Sequence, residues 1–502
     1  MNAFRRGSFS CRESAAWPAA QLALSRKACP TGGQFERQTR YCSGEKSWKD
    51  KVNIHDVIDE HRIGRTHGRT QYVALALCAL LMLFDGFNTQ TISYIVPVLA
   101  SEWHLPKSIL GPIFSAAFVG LLIGNFGISP LANRFGRKKM TILSTAAFGV
   151  LTLLTLLVTN APQLIAIRLL TGIALGAAAP CAIGLTSEFS PKRTRATFVL
   201  LIYVGYSLGF TVAGFCCGAM IPSFGWAGPL WVGGLGPIVL TLLLIPFLPE
   251  SASYLARRRS PVDLLRAAQR FFPGFILPKD AVLTSNEDAT SDTRVKGLFS
   301  RNLRLGTFLL WGVFVINLAE FYFLQSWLPT VLHSLSYPSA FVVWATAVST
   351  IGGMVAGLLM GPLMDRIGPY MILSALYLFG GISMLAISVA LGATHWILVF
   401  AVFCGGFCIS GGQKGVVALG SIFYPAGLRA AGVAWAYGVG RLGGAGGTYL
   451  AGVLYAANWA PDAIFRVAAA PAVGAAIFVG IMGLRYSSGR TLEPSAVARN
   501  IR

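Results

Sequence analysis

Apolar residues along this chain come in long unbroken runs separated by short polar breaks. They follow neither the alternation of half-buried strands nor the narrow stripe of a soluble helix. Twelve runs can be read. Six lie at about 72–97, 108–129, 139–158, 162–187, 196–220 and 228–248, and six more at 304–331, 339–363, 369–392, 395–422, 430–455 and 463–484. Each can cross a hydrocarbon layer of about 30 Å as a helix. The pattern predicts an all-α membrane protein with 12 transmembrane helices, and the lack of alternation excludes a transmembrane β-barrel.

The breaks divide the chain. An N-terminal tail over 1–70, expected to be disordered, precedes a six-helix half over 71–248. A polar linker over 249–303 leads to a second half over 304–485 and a short tail over 486–502. The break after the second run holds Arg134, Arg137, Lys138 and Lys139, and the one after the fourth holds Lys192, Arg193 and Arg195. Arg257, Arg258 and Arg259 lie in the linker, whereas the opposite side offers only Lys107 and Arg466. By the positive-inside rule, both termini, the linker and both tails are expected to be cytoplasmic, in the cell inner (plasma) membrane.

The two halves are copies. "PLANRFG" at 130–136 returns as "PLMDRIG" at 362–368, and "EFSPKRTRA" at 188–196 returns as "IFYPAGLRA" at 422–430, shifts of 232 and 234 residues. Duplicated halves around a midplane site are the plan of secondary transporters.

Composition changes this picture little. Hydrophobic residues make up 54% of the chain and charged ones 12%, about half the usual share of a soluble domain. The net charge of +21 reads as a topology signal, since no aromatic-interleaved basic groove accompanies it; nucleic acid is not an expected partner. Cys404 and Cys408 share a helix face without a second ligand pair, so the nine cysteines read as packing residues and not as a metal site. The first fifty residues are basic, carry three cysteines and lack the apolar core of a signal peptide. They read either as a dispensable tail or as the product of an upstream start codon, with the functional chain beginning near "VNIHDVIDEHRIGR".

Charges inside the runs are the candidate chemistry. A charge at a helix centre costs about 2.5–3.5 kcal/mol on insertion scales and persists where it is paired or faces water. Asp85 is such a residue, with Asn88 one turn later; Arg168, Glu320, Lys414 and Arg441 are others. A symporter of an anion needs a cation for the carboxylate and an acid that desolvation makes basic enough to take a proton. Arginine suits a planar carboxylate because it donates two parallel hydrogen bonds. No Walker loop and no catalytic or metal constellation is present, so neither ATP nor an enzymatic reaction is expected.

"GISPLANRFGRKK" and "RLLTGIALG" resemble the helix 2–3 loop and helix 4 signatures of the major facilitator superfamily. "LFDGFNTQTISYIVP", "AIGLTSEFSPKRTRA", "LLWGVFVINLAEFYFLQSWLPTVL" and "FYPAGLRAAGVAWAYGVGRLGGAGG" resemble its aromatic acid:proton symporters of the 4-hydroxybenzoate and benzoate type, from about Val52 to Arg485. The chain departs from that pattern at Asn88 and Asn133, where aspartate is usual, and at the charged Glu320 and Lys414.

The resemblance implies a cavity lined by helices 1, 4, 7 and 10, each carrying one charge: Asp85, Arg168, Glu320 and Lys414. Asp85 and Glu320 are the expected proton-coupling acids. Asn88, Arg168, Lys414 and Arg441 are the expected substrate contacts. Asn133, Arg134, Glu188, Asp365, Arg366 and Arg429 are the expected gating residues, with Asn133 loosening a gate. Phe87, Tyr94, Phe321, Tyr322, Trp327 and Trp435 are candidate ring contacts. The expected partners are a small aromatic carboxylate, protons and the lipid bilayer, with the proton gradient as energy source, no cofactor and a functional monomer. Competing readings are a carrier of a non-aromatic organic acid or other metabolite, and a drug:proton antiporter. "GYSLGFTVAGFCCG" lacks the proline of the antiporter signature, which disfavours the latter. A non-transporting sensor is also disfavoured, because neither tail offers a recognisable signalling domain.

Overall fold

In a computed structural model the described residues are 52–53, 69–190, 195–251, 254, 283–284, 297–425 and 428–486. The expectations for the N-terminal tail, most of the linker and the C-terminal tail therefore fall outside the described residues. Apart from the two-residue strands Val52–Asn53 and Leu283–Thr284, the described chain is helical.

Each expected run forms a helix. The first half contains α1 (Arg69–Glu102), α2 (Leu110–Ile123), α3 (Arg137–Leu154), α4 (Ala161–Phe189), α5 (Arg195–Phe224) and α6 (Ala227–Phe247). The second contains α7 (Arg304–Ser334), α8 (Ser339–Ile367), α9 (Pro369–Ala390), α10 (His395–Phe423), α11 (Arg429–Ala456) and α12 (Pro461–Tyr486). Eleven are long and apolar enough to cross a membrane. The exception, α11, has the length but carries eight glycines and Arg441, which dilute its hydropathy.

Local chemistry starts several of them. The Asn160 side chain accepts from the Gln163 amide at 3.0 Å and caps α4. Pro369 opens α9, where a missing N–H costs no hydrogen bond. The second run is not uniform: α2 passes into a π-helical turn at Gly124–Ile128 and then a 3₁₀ turn at Ser129–Leu131.

The halves repeat one packing scheme. α1 lies on α5 and α7 on α11; α2 lies on α4 and α8 on α10; α3 lies on α6 and α9 on α12. The halves meet along a seam of α1 with α7, α2 with α11 and α5 with α8. Gly443 shows how close the helices come, because a Cβ there would lie 1.8 Å from the Val315 carbonyl oxygen, so α11 reaches α7 only with glycine. Away from the seam the surface is apolar, with Leu358, Val389 and Leu484 exposed by 79%, 83% and 86%, as lipid contact requires.

At the end where α1 finishes and α2 begins, the seam is fastened. Lys107 donates to the Asn458 side chain at 2.9 Å and sits 5.1 Å above the Tyr455 ring. Deeper in the seam, Gln90 donates to the Gln325 carbonyl at 3.1 Å, and Phe114 packs edge-on against Trp327 at 5.3 Å.

Candidate functional site

Asp85 stands in α1 one residue before Gly86. A Cβ on Gly86 would lie 2.1 Å from the Tyr206 carbonyl oxygen, so its absence lets α1 settle against the Tyr206 turn of α5. Asp85 is buried and accepts from the Thr89 hydroxyl at 3.5 Å.

Arg441 faces it from α11, the other half. Its Nη1 donates to the Leu121 carbonyl of α2 at 3.4 Å, across the seam, and the guanidinium lies 5.7 Å over the Tyr437 ring. Its Nε is buried without a partner. Asp85 and Arg441 are within electrostatic range of each other, yet form no direct ion pair among the described residues.

Four tyrosines lie within electrostatic reach of this pair: Tyr203 and Tyr206 from α5, Tyr322 from α7 and Tyr437 from α11. The Tyr437 hydroxyl accepts from Gln413 of α10 at 3.4 Å. Phe118 of α2 lies 4.1 Å from Tyr322, and Phe321 lies 5.1 Å from it. Tyr322 is buried, whereas Tyr203, Tyr206 and Tyr437 keep partial exposure. The result is one anion, one cation and four nearby phenols, drawn from both halves. Such a site can bind a flat anion by its charge and stack its ring.

The other expected site residues lie elsewhere. The Asn88 amide donates to the Phe84 and Gly233 carbonyls at 3.1 and 2.9 Å and accepts from Thr152 at 2.8 Å, inside the first half. Arg168 is buried in α4 with its Nε unpartnered. Lys414 donates to the Gly353 carbonyl of α8 and lies along Gly357. Glu320 is buried with neither carboxylate oxygen partnered. Of the four charges expected on helices 1, 4, 7 and 10, only Asp85 joins the cluster, and its opposite charge comes from α11.

Among the expected gating residues, Glu188 accepts from Arg137 at 2.6 Å and from Ser251 at 3.0 Å. Arg134 is exposed over the Phe135 ring at 5.6 Å. Asp365, Arg366 and Arg429 are exposed. The Asn133 side chain lies outside the described residues. Of the ring candidates only Phe321 and Tyr322 reach the cluster. Phe87 is buried near Gly209 and Gly233, Tyr94 abuts Gly214, Trp327 donates to the Thr448 carbonyl at 3.1 Å, and Trp435 packs on Phe126 at 5.2 Å. Sequence reading missed Tyr203, Tyr206 and Tyr437. Their signal was helical spacing: Tyr203 and Tyr206 share a face, and so do Tyr437 and Arg441.

Two duplicated six-helix halves meeting on a buried, oppositely charged cluster define a secondary transporter, a carrier and not an enzyme. The chain belongs to the Major Facilitator Superfamily, whose model matches residues 78–343 and 310–498. It is 34% identical over 428 residues to the gallate transporter of Pseudomonas putida, covering 85% of this chain and 94% of that one. It is 35% identical over 421 residues to the 4-hydroxybenzoate transporter PcaK of Acinetobacter baylyi, covering 83% and 92%. It is 32% identical over 412 residues to the 3-(3-hydroxy-phenyl)propionate transporter of Escherichia coli, covering 81% and 93%. The same fold appears in solved structures. A D-xylose-proton symporter matches with a TM-score of 0.63 at 17% identity, covering 81% of this chain and 97% of that one. The xylose transporter XylE from E. coli in a partially occluded inward-open conformation matches with 0.64 at 17%, covering 82% and 98%.

Proposed function

We propose that this protein imports a small aromatic carboxylate together with protons, by alternating access, as a monomer of the cell inner membrane with both termini cytoplasmic. The observation that carries the reading is the Arg441 guanidinium over the Tyr437 ring, with Tyr203, Tyr206 and Tyr322 in electrostatic reach and Asp85 opposed across the seam. Relatives named for gallate, 4-hydroxybenzoate and hydroxyphenylpropionate support the substrate class.

Arg441 holds the carboxylate, and the tyrosine and phenylalanine rings stack on the aromatic face. Asp85 takes the coupling proton. An unpartnered buried charge resists closure, so the halves rock most readily when anion and proton are both aboard or both absent. Glu320 is a second proton site, supported by its burial without a partner, since an unpaired anion there is costly. Arg168 and Lys414 act on the anion at a distance or during its passage, while Asn88 supports the site by fixing α1 against α3 and α6. Lys107 and its partners close the extracellular side. Arg134, Glu188, Asp365, Arg366, Arg429 and Asn133 belong to the cytoplasmic gate.

Uptake of radiolabelled benzoates, phenylpropionates and aliphatic acids into proteoliposomes tests this directly. Accumulation of the aromatic acids should follow an imposed inward-directed pH gradient. Preference for aliphatic acids would refute the substrate class, and indifference to the gradient would refute the coupling. One proton per monoanion moves no net charge; a second adds one charge, worth about 2.3 kcal/mol per 100 mV, so voltage alone would then drive uptake.

A further inference from the structure

A tyrosine hydroxyl holds one proton and two lone pairs, so what it offers a ligand depends on what its neighbours take. Tyr437 stands one helical turn before Arg441 on α11, on the same face. Its ring is held on two sides. The Arg441 guanidinium lies 5.7 Å over it, and Phe314 of α7 meets it edge-on at 6.1 Å. Packing therefore sets the place of the hydroxyl oxygen, and only the direction of its proton is left open. Gln413 of α10 settles that direction, because its Nε2 donates to the hydroxyl at 3.4 Å. An amide N–H cannot accept, so the tyrosine proton points away from it.

Gln413 differs from its neighbours in the chain. The Gly412 carbonyl accepts from Tyr377 of α9 at 3.3 Å, and Lys414 donates to the Gly353 carbonyl of α8. Both bonds fasten α10 to an adjacent helix through a backbone carbonyl, as packing ties do. Gln413 reaches instead a side-chain hydroxyl beside the buried cation, on a tyrosine that keeps partial exposure. Arg441, for its part, has Nη1 engaged by the Leu121 carbonyl at 3.4 Å. Part of its donor fork is thus occupied before any anion arrives.

We propose that Gln413 is a positioning residue for the substrate: by donating to Tyr437 it leaves the phenol as a second hydrogen-bond donor to the carboxylate, beside Arg441. The inference rests on the carboxylate-binding role proposed for Arg441. A carboxylate accepts through two oxygens, and guanidinium and phenol can serve one each. Gln413, Tyr437 and Arg441 all belong to the second half, so this cradle travels as one piece. Asp85 belongs to the first half, and the anion and its coupling acid then ride on different bodies.

The test is a double-mutant cycle on benzoate affinity, read by ligand-induced thermal stabilisation of purified protein and by the KM of uptake. Tyr437→Phe should weaken benzoate roughly tenfold or more, the worth of a hydrogen bond to a charged group. Gln413→Met, close in shape but without a donor, should weaken it roughly threefold to tenfold, since the released hydroxyl still reaches the anion in some of its orientations. In the Tyr437→Phe background Gln413→Met should add nothing, because the hydroxyl through which it acts is gone. Gln413→Ala takes its place in the cycle if Gln413→Met does not fold. Unchanged affinity in either single variant overturns the inference, as does an equal loss from Gln413→Met in both backgrounds, or a loss confined to the maximal rate. If wild type binds no aromatic acid, or binds it as well after Arg441→Ala, the proposed function falls instead. A wild type that binds benzoate through Arg441, with Gln413→Met indistinguishable from it, sinks only the role of Gln413.

Discussion

Asn88 and Glu320 occupy matching places in the two halves. Pro97 in α1 recurs as Pro329 in α7, a shift of 232 residues, and the same shift carries Asn88 onto Glu320 and Asp85 onto Asn317. In the first half the amide is fully engaged, accepting from Thr152 at 2.8 Å. In the second, the residue matching Thr152 is Met384, which is buried and offers no donor, and both Glu320 oxygens are unpartnered. The duplicated fold therefore preserves positions without preserving partners. Where partners remain, a polar residue serves packing. Where they are gone, the fold gives it no reason to stay, and a reason must be sought in transport.

The loops repeat the lesson. Gly136 and Gly368 turn the chain with φ of 103° and 104°. Behind Gly136 stand Glu250, which accepts from the Lys138 amide at 3.0 Å, and the Arg137–Glu188 ion pair. The matching positions of that pair are Pro369 and Ile422 in the second half, and among the described residues no atom lies within 4 Å of a Cβ built on Gly368. One turn is braced by charge; at the other, no such brace is found among the described residues.

The sharpest break of this comparison is at the seam, where the halves contribute unequally but jointly. Arg441→Ala and Asp85→Asn should each cut proton-driven uptake about a hundredfold or more, the scale of leaving one buried charge without its counter-charge. Arg441→Lys should recover part of it. Uptake near wild type in either variant would detach the cluster from transport. If Asp85→Asn retains proton-coupled uptake while Glu320→Gln loses it, the coupling acid lies in the second half instead.

Next come the two turns. Alanine at either glycine should cost about 1–3 kcal/mol of backbone strain. Gly136→Ala should cost more than Gly368→Ala, because its Cβ would also meet the Glu250 carboxylate at 2.9 Å. Thermal unfolding in detergent measures the difference, and equal losses would mean that the first loop is no better braced than the second.

At the matched helix positions, Asn88→Leu should destabilise by about 1–3 kcal/mol by stranding its partners. Glu320→Met should be neutral or stabilising by about 1 kcal/mol, as for other uncompensated buried charges. A large loss for Glu320→Met would reveal a structural role after all. The smallest effect belongs to the Lys107 fastening. Lys107→Met should loosen it by about 0.5–1 kcal/mol, visible as faster hydrogen exchange near the start of α2 and the end of α11.

Much of this architecture was legible in the sequence, since hydrocarbon thickness fixes run length and duplication leaves motifs at a constant shift. The site was legible only in part. Asp85 and Arg441 stand out as charges in apolar runs, but depth along a helix says nothing of azimuth. Arg168, Lys414 and Glu320 therefore carry the same sequence signal as Asp85 and Arg441, and depth alone does not say which of them pair. Tyr203, Tyr206 and Tyr437 were hidden for a different reason. In a membrane helix a tyrosine facing lipid, a neighbour or a ligand has the same local sequence, and only the seam tells them apart.

The irregular second helix carries one more consequence. Pro106 and Pro130 bracket it, and Pro338 and Pro362 bracket the same number of residues in the smooth α8. The wide turn at Gly124–Ile128 is followed by the tight one at Ser129–Leu131. Slack winding is thus taken up by overwinding, and no residue has been inserted. The Phe126 neighbourhood can be re-aimed by point substitution alone, leaving no gap for a comparison of sequences to notice.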